Sequence, residues 1–312
     1  MPDSLVIGSR GSKLALRQSE TAKARLALLY PAIEIRIEII KTEGDVSTKP
    51  LAVIGGKGIF TKELEDALLD GRIDLAVHSL KDLPTILPDG LAISAICERE
   101  DPRDALVFRN DQQITNGSSL SLLSLPESAV VGTSSPRRLA QLKCLRRDVF
   151  VKDLRGNVDT RLRKLDEGQY DALILASAGL RRLGLENRIS VAIPTDEMLP
   201  AVGQGAVAIE SRSDDQFAIE TVSKLNHTET RIACTAERAL LRSLGGGCQL
   251  PIAAHGFVHS EELRLEGLVA KPDGSRLVRD NVSGSVDNPE DLGAALAARL
   301  INQGAEGLLR EQ

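Results

Sequence analysis

Short apolar runs alternate with helical patterns through the first two hundred residues, and this alternation restricts the fold more than any other feature. Residues 5–8 form an apolar run that ends at a glycine, after which Ser12 can cap a helix. The same order returns at residues 130–132, where Ser135 and Pro136 can open another helix. Such alternation favours parallel strands covered by helices on both faces of a sheet.

Other segments of this region fit the same scheme. Strands are predicted at residues 34–40, 74–78, 91–97, 150–151 and 172–176, and helices at residues 62–69 and 158–165.

The pattern changes after residue 229. A long helix leads to a glycine loop, three strand-like runs follow, and a helix closes the chain; the last four segments are 252–258, 263–269, 276–280 and 289–301. Pro272-Asp273-Gly274 predicts a hairpin turn between the last two strands. These signals predict a smaller α+β domain.

The composition excludes several classes of protein. The 312 residues allow two or three domains, and the chain has a net charge of −5 and no Trp. An acidic chain with few aromatic side chains for base stacking is not expected to bind nucleic acid. No stretch reads as a membrane span or a secretory signal, which predicts a cytoplasmic protein. Four scattered cysteines without a CxxC pair predict neither disulfides nor a metal site.

Cys248 follows three consecutive glycines, residues 245–247. Glycines remove shielding side chains and permit positive φ angles, so this loop can present a bare thiol to a cavity. The same segment is also explained by a flexible turn after a helix, in which Gly245 is the C-cap and Cys248 is a small apolar residue. The loop alone leaves both interpretations open.

Two loops place serine and arginine between a strand and a helix. Residues 8–12 read Gly-Ser-Arg-Gly-Ser, and residues 132–138 read Gly-Thr-Ser-Ser-Pro-Arg-Arg. Helix starts of this kind expose free N–H groups, which suits anions. Residues 137–188 carry ten arginines and three lysines against seven acidic residues. Because Arg binds carboxylates through two parallel hydrogen bonds, we predict a polyanionic ligand held between two similar lobes, although many of these charges fit solvated helix faces.

Residues 78–84, His-Ser-Leu-Lys-Asp-Leu-Pro, come just after a predicted strand, at the edge where α/β sheets bind ligands. Asp82 can there stabilise a developing cation or transfer protons. Taken alone, an ordinary polar turn before Pro84 is the simpler interpretation. We interpret His78 as a structural neighbour of Asp82 rather than as an acid or a base.

A longer series of motifs occurs in a fixed order along the chain. It comprises Arg10-x-Ser12, Gly-Gly-Lys57-Gly-x-Phe60, His78-Ser79-x-Lys81-Asp82-x-Pro84, Gly132-Thr-Ser-Ser-x-Arg137-Arg138, Leu154-Arg155-Gly156-Asn157, Thr160-Arg161-Leu162, Ala178-Gly179-Leu180-x-Arg182-Leu183, Leu199-Pro200-Ala201-x-Gly203-Gln204-Gly205 and Gly246-Gly247-Cys248-Gln249-x-Pro251. From about Leu5 to the closing helix, the chain resembles the porphobilinogen deaminase family.

The resemblance implies an α/β fold with two periplasmic-binding-protein-like lobes of mixed sheets plus a smaller C-terminal α+β domain. Domain 1 would contain residues 1–99 and 204–222, domain 2 residues 103–199, and domain 3 residues 228–312. The implied activity is that of hydroxymethylbilane synthase, a transferase of porphyrin and heme biosynthesis. It deaminates four porphobilinogen molecules and polymerises them head to tail, and it is expected to be a cytoplasmic monomer.

The resemblance also implies roles for single residues. Cys248 would anchor a dipyrromethane cofactor through a thioether, and Asp82 would be the catalytic carboxylate. Cofactor binding is implied for Cys248, Arg10, Ser12, Lys57, Phe60, Ser79, Lys81, Asp82, Thr133, Ser134, Ser135, Arg137, Arg138, Arg155, Arg161 and Arg182. Substrate binding is implied for Arg10, Ser12, Arg155, Arg161 and Arg182, and no metal is implied. Val53 stands where some family members have a Lys that contacts the cofactor.

An alternative from another functional class is a non-catalytic, two-lobed protein that binds small anions. Such a protein would need neither Cys248 in a glycine loop nor a third domain. The mass of the intact protein distinguishes the two, since a simple binding protein weighs what its sequence predicts.

Overall fold

The structure is a computed structural model that describes residues 4–46, 60–109, 121–247 and 249–310. The chain divides into two compact units. The first contains Met1–Glu100 and Ala206–Cys234, and the second contains Asp101–Gly205 and Thr235–Gln312. The chain therefore enters the second unit, returns to the first, and then leaves it again. No helix in the described ranges is long and apolar enough to cross a membrane.

A five-stranded sheet forms the centre of the first unit. Its strands are β1 (Ser4–Arg10), β2 (Glu34–Ile40), β3 (Leu75–Ser79), β4 (Leu91–Ile96) and β10 (Val207–Arg212). The strand order is β2-β1-β3-β10-β4. β1 runs parallel to β2 and β3, whereas β10 is antiparallel to β3 and β4. The sheet is therefore mixed, and the purely parallel arrangement favoured by the alternation of strands and helices is wrong here, because the returning strand runs in the opposite direction.

Helices cover both faces of this sheet. They are α1 (Lys13–Leu29), α2 (Glu43–Val46), α3 (Lys62–Leu69) and α7 (Gln216–Ser223). Leu26 of α1 packs in one core with Val77, while Leu64 of α3 packs in another with Ala76. Adjacent residues of β3 thus face opposite cores, as the pleat of a strand requires. The predicted cap is confirmed, since Ser12 Oγ accepts a hydrogen bond of 3.3 Å from Ala15 N.

The second unit contains a sheet with the same layout. Its strands are β5 (Asp104–Phe108), β6 (Val130–Gly132), β7 (Phe150–Lys152), β8 (Ala172–Ala176) and β9 (Val191–Ala192), in the order β7-β6-β8-β5-β9. β6 is parallel to β7 and β8, and β5 is antiparallel to β8 and β9. Strand β5 occupies the place that β10 occupies in the first sheet. The two lobes therefore share one topology.

Three helices of the second unit are α4 (Pro136–Leu145), α5 (Val158–Asp166) and α6 (Ser177–Arg182). Leu106 packs in a core with Leu142 of α4, and Val107 packs in a different core with Leu162 of α5. Sequence analysis did not predict β5, although its residues Ala105–Phe108 are all buried apolar side chains.

The C-terminal segment is an antiparallel α+β structure. After α8 (Thr228–Ser243) come β11 (Ile252–His259), β12 (Glu262–Ala270), β13 (Leu277–Ser285), α9 (Pro289–Asn302) and α10 (Ala305–Arg310). The predicted hairpin is confirmed, since Gly274 has a φ of 71° and Asp273 Oδ1 accepts a 2.9 Å bond from Ser275 N. Two lobes of mixed sheets plus this smaller segment confirm the predicted fold class; the three domain boundaries stay predictions.

At Gly293, α9 packs directly against the backbone of α8. A Cβ atom there would lie 2.4 Å from Ala236 O and 2.7 Å from Ala239 Cβ. Because backbone cannot yield as a side chain can, we expect Gly293→Ala to destabilise the fold by about 1–3 kcal/mol, despite the better helix propensity of Ala. Melting temperatures measure the effect.

Gly307 of α10 supplies the matched control. A Cβ atom there would meet nothing within 4 Å, so Gly307→Ala should melt at the parent temperature or above it. A Gly293→Ala protein as stable as the parent would show that the two helices can separate without cost.

Candidate functional site

The carboxyl ends of β1 and β3 bring several predicted site residues to one edge of the first sheet. Arg10 ends β1, and Ser79 ends β3. Because these strands are parallel neighbours, their ends lie side by side, where α/β sheets bind ligands. Ser12 begins α1 immediately after Arg10, which adds a helix N-terminus to the same edge.

A cavity opens at this edge. It holds about 400 Å³ of empty space, including the part that opens to solvent. Its lining contains Arg10, Ser12, Leu14, Ala15, Gln18, Phe60, Thr61, Val77, His78, Ser79 and Asp82. The Arg10 guanidinium carbon lies 4.2 Å from the centroid of the Phe60 ring, which fixes a cation over an aromatic face.

Asp82 is held by the residues around it. It lies on the 3₁₀ turn Leu80–Asp82 directly after β3. Leu80 and Leu83 are both buried, and Leu80 N donates a 3.0 Å hydrogen bond to Ala206 O. Asp82 is exposed and Lys81 is half-buried. Burial of the two leucines that flank Lys81 and Asp82 thus anchors the turn that presents the carboxylate to the cavity.

Gln18 is a cavity residue that sequence analysis missed. Its Nε2 atom donates a 3.0 Å hydrogen bond to Ser79 Oγ, so that α1 and β3 are joined at the cavity. The available signal was a polar side chain on the buried face of α1, beside Ala15 and Ala22.

Arg137 and Arg138 of the second unit converge on one buried carboxylate. Asp104 Oδ2 lies 2.6 Å from Arg137 Nη1, and Asp104 Oδ1 lies 2.7 Å from Arg138 Nη2. The three residues are 0%, 4% and 6% exposed, in the order Asp104, Arg137, Arg138. Burial by itself would raise the pKa of Asp104, but both guanidinium charges outweigh burial and hold that pKa well below its usual range. Sequence analysis missed Asp104, the first residue of an apolar strand.

This arrangement carries more positive than negative charge. Gln204 Nε2 adds a 2.9 Å hydrogen bond to Asp104 Oδ1, which leaves two guanidinium groups facing one carboxylate. Arg137 Nε is buried and has no hydrogen-bond partner among the described residues. A buried N–H without a partner is costly, and a carboxylate of a ligand would satisfy it.

The hydroxyl groups of the neighbouring loop bind the protein's own backbone. Thr133 Oγ1 accepts a 3.2 Å bond from Ser135 N, and Ser135 Oγ accepts a 3.5 Å bond from Arg138 N. Ser134 Oγ lies 2.7 Å from Leu154 O and 2.9 Å from Leu154 N. These contacts confirm Ser135 as the cap of α4 and fix the loop that carries Arg137.

Three further arginines are half-buried at the edges of α5 and α6. Arg155 Nε lies 2.9 Å from Asp153 Oδ2, and Arg161 Nε donates a 2.7 Å bond to Gly156 O. Arg182 Nη2 donates a 2.5 Å bond to Gly205 O. Each guanidinium thus has a partner at its own edge of the second unit. Lys57 and Cys248 lie outside the described residues.

Two families of known protein domains match this chain. The family described as "Porphobilinogen deaminase, dipyromethane cofactor binding domain" matches residues 5–220. A second family, described as "Porphobilinogen deaminase, C-terminal domain", matches residues 231–302.

Individual relatives cover almost the whole chain. A porphobilinogen deaminase of Chromobacterium violaceum is 51% identical over 308 residues, which are 98% of this chain and 97% of that protein. One from Parasynechococcus marenigrum is 52% identical over 308 residues, 98% of this chain and 96% of that protein.

Solved structures show weaker similarity. The periplasmic aliphatic sulphonate binding protein SsuA of Escherichia coli is 17% identical with a TM-score of 0.40, over 78% of this chain and 71% of that chain. A sulfate-bound OxyR2 regulatory domain of Vibrio vulnificus is 14% identical with a TM-score of 0.42, over 72% and 96% of the two chains. The fold assignment therefore rests on the strand order described above. The family matches and the relatives of about 50% identity lead to one conclusion: this chain belongs to the porphobilinogen deaminase family.

Proposed function

We propose that this chain is a hydroxymethylbilane synthase, which deaminates four porphobilinogen molecules and joins them head to tail. The observation that carries the proposal is the cavity of the first unit, where the exposed carboxylate of Asp82 lies beside Arg10, Ser12 and Ser79. Porphobilinogen carries two carboxylates and becomes positively charged when it loses ammonia. A site with both cationic side chains and a fixed anion suits that change of charge.

Asp82 is the proposed catalytic carboxylate. Because its turn is anchored by buried leucines, its charge is already in place when positive charge develops on the substrate, and no free energy goes into moving it. A carboxylate on a mobile loop would first have to be brought into position. Lys81, Ser12 and Phe60 are proposed to orient the carboxylates and rings of bound pyrroles.

The second unit fits the carboxylates of a dipyrromethane cofactor. The Nε–H of Arg137, which has no partner among the described residues, can donate a hydrogen bond to one carboxylate without breaking an existing bond. The cofactor supplies the ring carbon to which the first substrate is joined. We propose Cys248 as its covalent anchor, with Lys57, Thr133, Ser134, Ser135 and Arg138 in supporting contacts.

Arg155, Arg161 and Arg182 are proposed to bind carboxylates of the substrate. The Arg155–Asp153 pair is partly solvated, with side chains 33% and 62% exposed. Exposed ion pairs contribute only about 0–1 kcal/mol, so Arg155 can exchange Asp153 for a ligand carboxylate at small cost. The buried pair of Arg138 with Asp104 lacks that freedom.

Cellular location, assembly and domain boundaries are properties of the whole protein. We propose a cytoplasmic monomer of porphyrin and heme biosynthesis that has neither a nucleic-acid nor a membrane partner. Its proposed domains are 1–99 with 204–222, 103–199, and 228–312. The pairing of β10 with β3 supports the return of the chain to the first domain. A non-catalytic anion-binding protein is disfavoured by the match to a cofactor-binding domain.

The cofactor should be visible in the mass of the intact protein. We expect the purified chain to exceed its sequence mass by two linked pyrrole units. Cys248→Ala should remove this increment, whereas Cys144→Ala, at an exposed cysteine, should keep it. An adduct that survives Cys248→Ala would reject the anchor assignment.

Removal of the Asp82 charge should separate binding from chemistry. Asp82→Asn keeps the shape and the hydrogen-bonding reach of the side chain, so cofactor and first substrate should remain bound. Turnover should fall by about a hundredfold or more, a typical loss for one electrostatic catalytic group. Mass spectrometry of enzyme–substrate intermediates, beside the rate of product formation, measures both quantities. Turnover near the parent value would make Asp82 an ordinary turn residue.

Arg155 can be tested against a neighbour of the same type. Arg155→Leu should stall elongation or raise KM, because a substrate carboxylate loses its bidentate partner. Arg163→Leu is the control, since Arg163 is 62% exposed and pairs with Glu167, the C-cap of its own helix. We expect the control to elongate normally. Equal behaviour of the two variants would remove Arg155 from the proposed substrate site.

A further inference from the structure

Three titratable side chains lie buried between α3 and the first sheet, and one of them, His78, lines the cavity of Asp82. They are Glu65 of α3, His78 of β3 and Glu210 of β10, here called the buried acid cluster. Their exposed fractions are 6%, 5% and 0%. β10 pairs with β3 so that Glu210 lies opposite Ala76, two residues from His78 and therefore on the same face of the sheet. His78 Nε2 and Glu210 Oε2 are 3.1 Å apart.

The cluster is poorly satisfied by hydrogen bonds. The distance between His78 and Glu210 suits a hydrogen bond, but the alignment of the ring N–H does not. Four buried polar atoms have no hydrogen-bond partner in the described structure: Glu65 Oε1, His78 Nε2, Glu210 Oε1 and Glu210 Oε2. The apolar core of Leu64, Leu68 and Ile73 lies under the same helix. Apolar residues in these places would avoid the desolvation penalty, so stability alone does not explain the cluster.

The charges of the cluster favour a retained proton. Burial raises the pKa of Glu65, the Thr61 hydroxyl and His78 oppose that rise, and Glu210 and Asp66 add to it. These groups come from α3 and its cap, from β3 and from β10. Strand β4 has no titratable side chain, and β1 contributes only Arg10, at the cavity. The raised pKa means that the Glu65 carboxyl keeps its proton to a higher pH than an ordinary glutamate does.

The proposed reaction needs a group of this kind. Asp82 must stay negative while positive charge develops on the substrate, so it cannot donate a proton at the same moment. The departing nitrogen nevertheless needs a proton to leave as ammonia, and the attacking ring carbon later loses one. His78 lines the same cavity as Asp82 and has the buried carboxylate of Glu210 behind it.

We propose that the buried acid cluster holds the proton of this exchange and that His78 passes it between the cluster and the cavity. The inference rests on the proposed function. The carbon–nitrogen bond breaks with its electron pair on nitrogen, which takes the cluster's proton and leaves as ammonia. The ring carbon then forms the carbon–carbon bond and releases its proton to the cluster, while the electron pair of the carbon–hydrogen bond returns to the ring. The cluster ends each addition in its starting state.

Kinetics of cofactor-loaded protein test the relay. His78→Gln should lower kcat by about a hundredfold, the scale of one acid–base group, with KM little changed. Its pH–rate profile should also lose one ionisation, which a purely structural role would leave in place. Glu210→Gln should shift that ionisation without abolishing it. His259→Gln, at an exposed histidine of β11, is the control and should match the parent.

Two measurements on cofactor-free protein are independent of activity. NMR titration of the His78 ring should change in Glu65→Gln and Glu210→Gln but not in Glu63→Gln, a control on the same helix. Because the folded-state pKa of Glu65 lies above its ordinary value of 4.5, its contribution to stability is lost as pH rises. Glu65→Gln should therefore gain stability relative to the parent above about pH 4.5, while Glu63→Gln should not.

The outcomes separate this inference from the proposed function. If Asp82→Asn is inactive but His78→Gln keeps the parent kcat and pH profile, the relay is wrong and the catalytic carboxylate stands. If His78→Gln merely melts earlier, with an unchanged rate per folded molecule, the cluster is structural. If Asp82→Asn turns over normally, the proposed mechanism fails whatever the cluster does.

Discussion

The return of one strand, β10, to the first sheet is the constraint on which the site depends. The residue just before it, Ala206, accepts a hydrogen bond from Leu80 N and so fixes the turn that carries Asp82. Its middle supplies Glu210, which lies 3.1 Å from the cavity residue His78. Its end supplies Arg212, which donates hydrogen bonds to Leu68 O and Ile73 O. A strand that belongs to a distant part of the sequence thus holds the edge with the cavity together. Without it, β3 and β4 would be unpaired along facing edges.

Each unit contains buried charged side chains whose charges are not fully neutralised by the protein, so that a charged ligand can neutralise them. In the second unit, two guanidinium groups share Asp104, which leaves a positive surplus. In the first, Glu210 lies 3.1 Å from His78. Burial raises the pKa of the neighbouring Glu65, so that this carboxyl favours its protonated form. Buried charges without full partners are costly, and they recur at functional sites because the ligand or the reaction supplies what is missing. The proposed substrate offers both: its carboxylates suit the positive charge of the second unit, and its transient positive charge suits the carboxylates of the first.

Sequence patterns predicted where helices and strands occur better than they predicted whether neighbouring strands are parallel or antiparallel. The caps at Ser12 and Ser135, the hairpin at Gly274 and most strands agree with the structure. Hydrophobic period reports which face of a strand is buried and carries no information on whether its neighbour is parallel. The antiparallel strands β5 and β10 could therefore not be derived from it, and the motifs implied mixed sheets only through resemblance.

The motifs of the candidate site could be predicted from the sequence, but the residues that these motifs contact in the fold could not. Arg10 and Asp82 stand in ordered motifs, whereas Asp104 is a single acid at the start of an apolar strand, and only the fold brings it to Arg137. The same holds for His78, which the sequence presents as a neighbour of Asp82 in a polar turn. The structure turns its side chain toward a carboxylate 132 residues later in the chain, at the opposite face of β3 from Ser79. One short segment thereby contributes to two sites. Ser79, at the end of β3, and Asp82, on the exposed turn that follows, line the cavity, while His78 lies beside the buried carboxylate of Glu210.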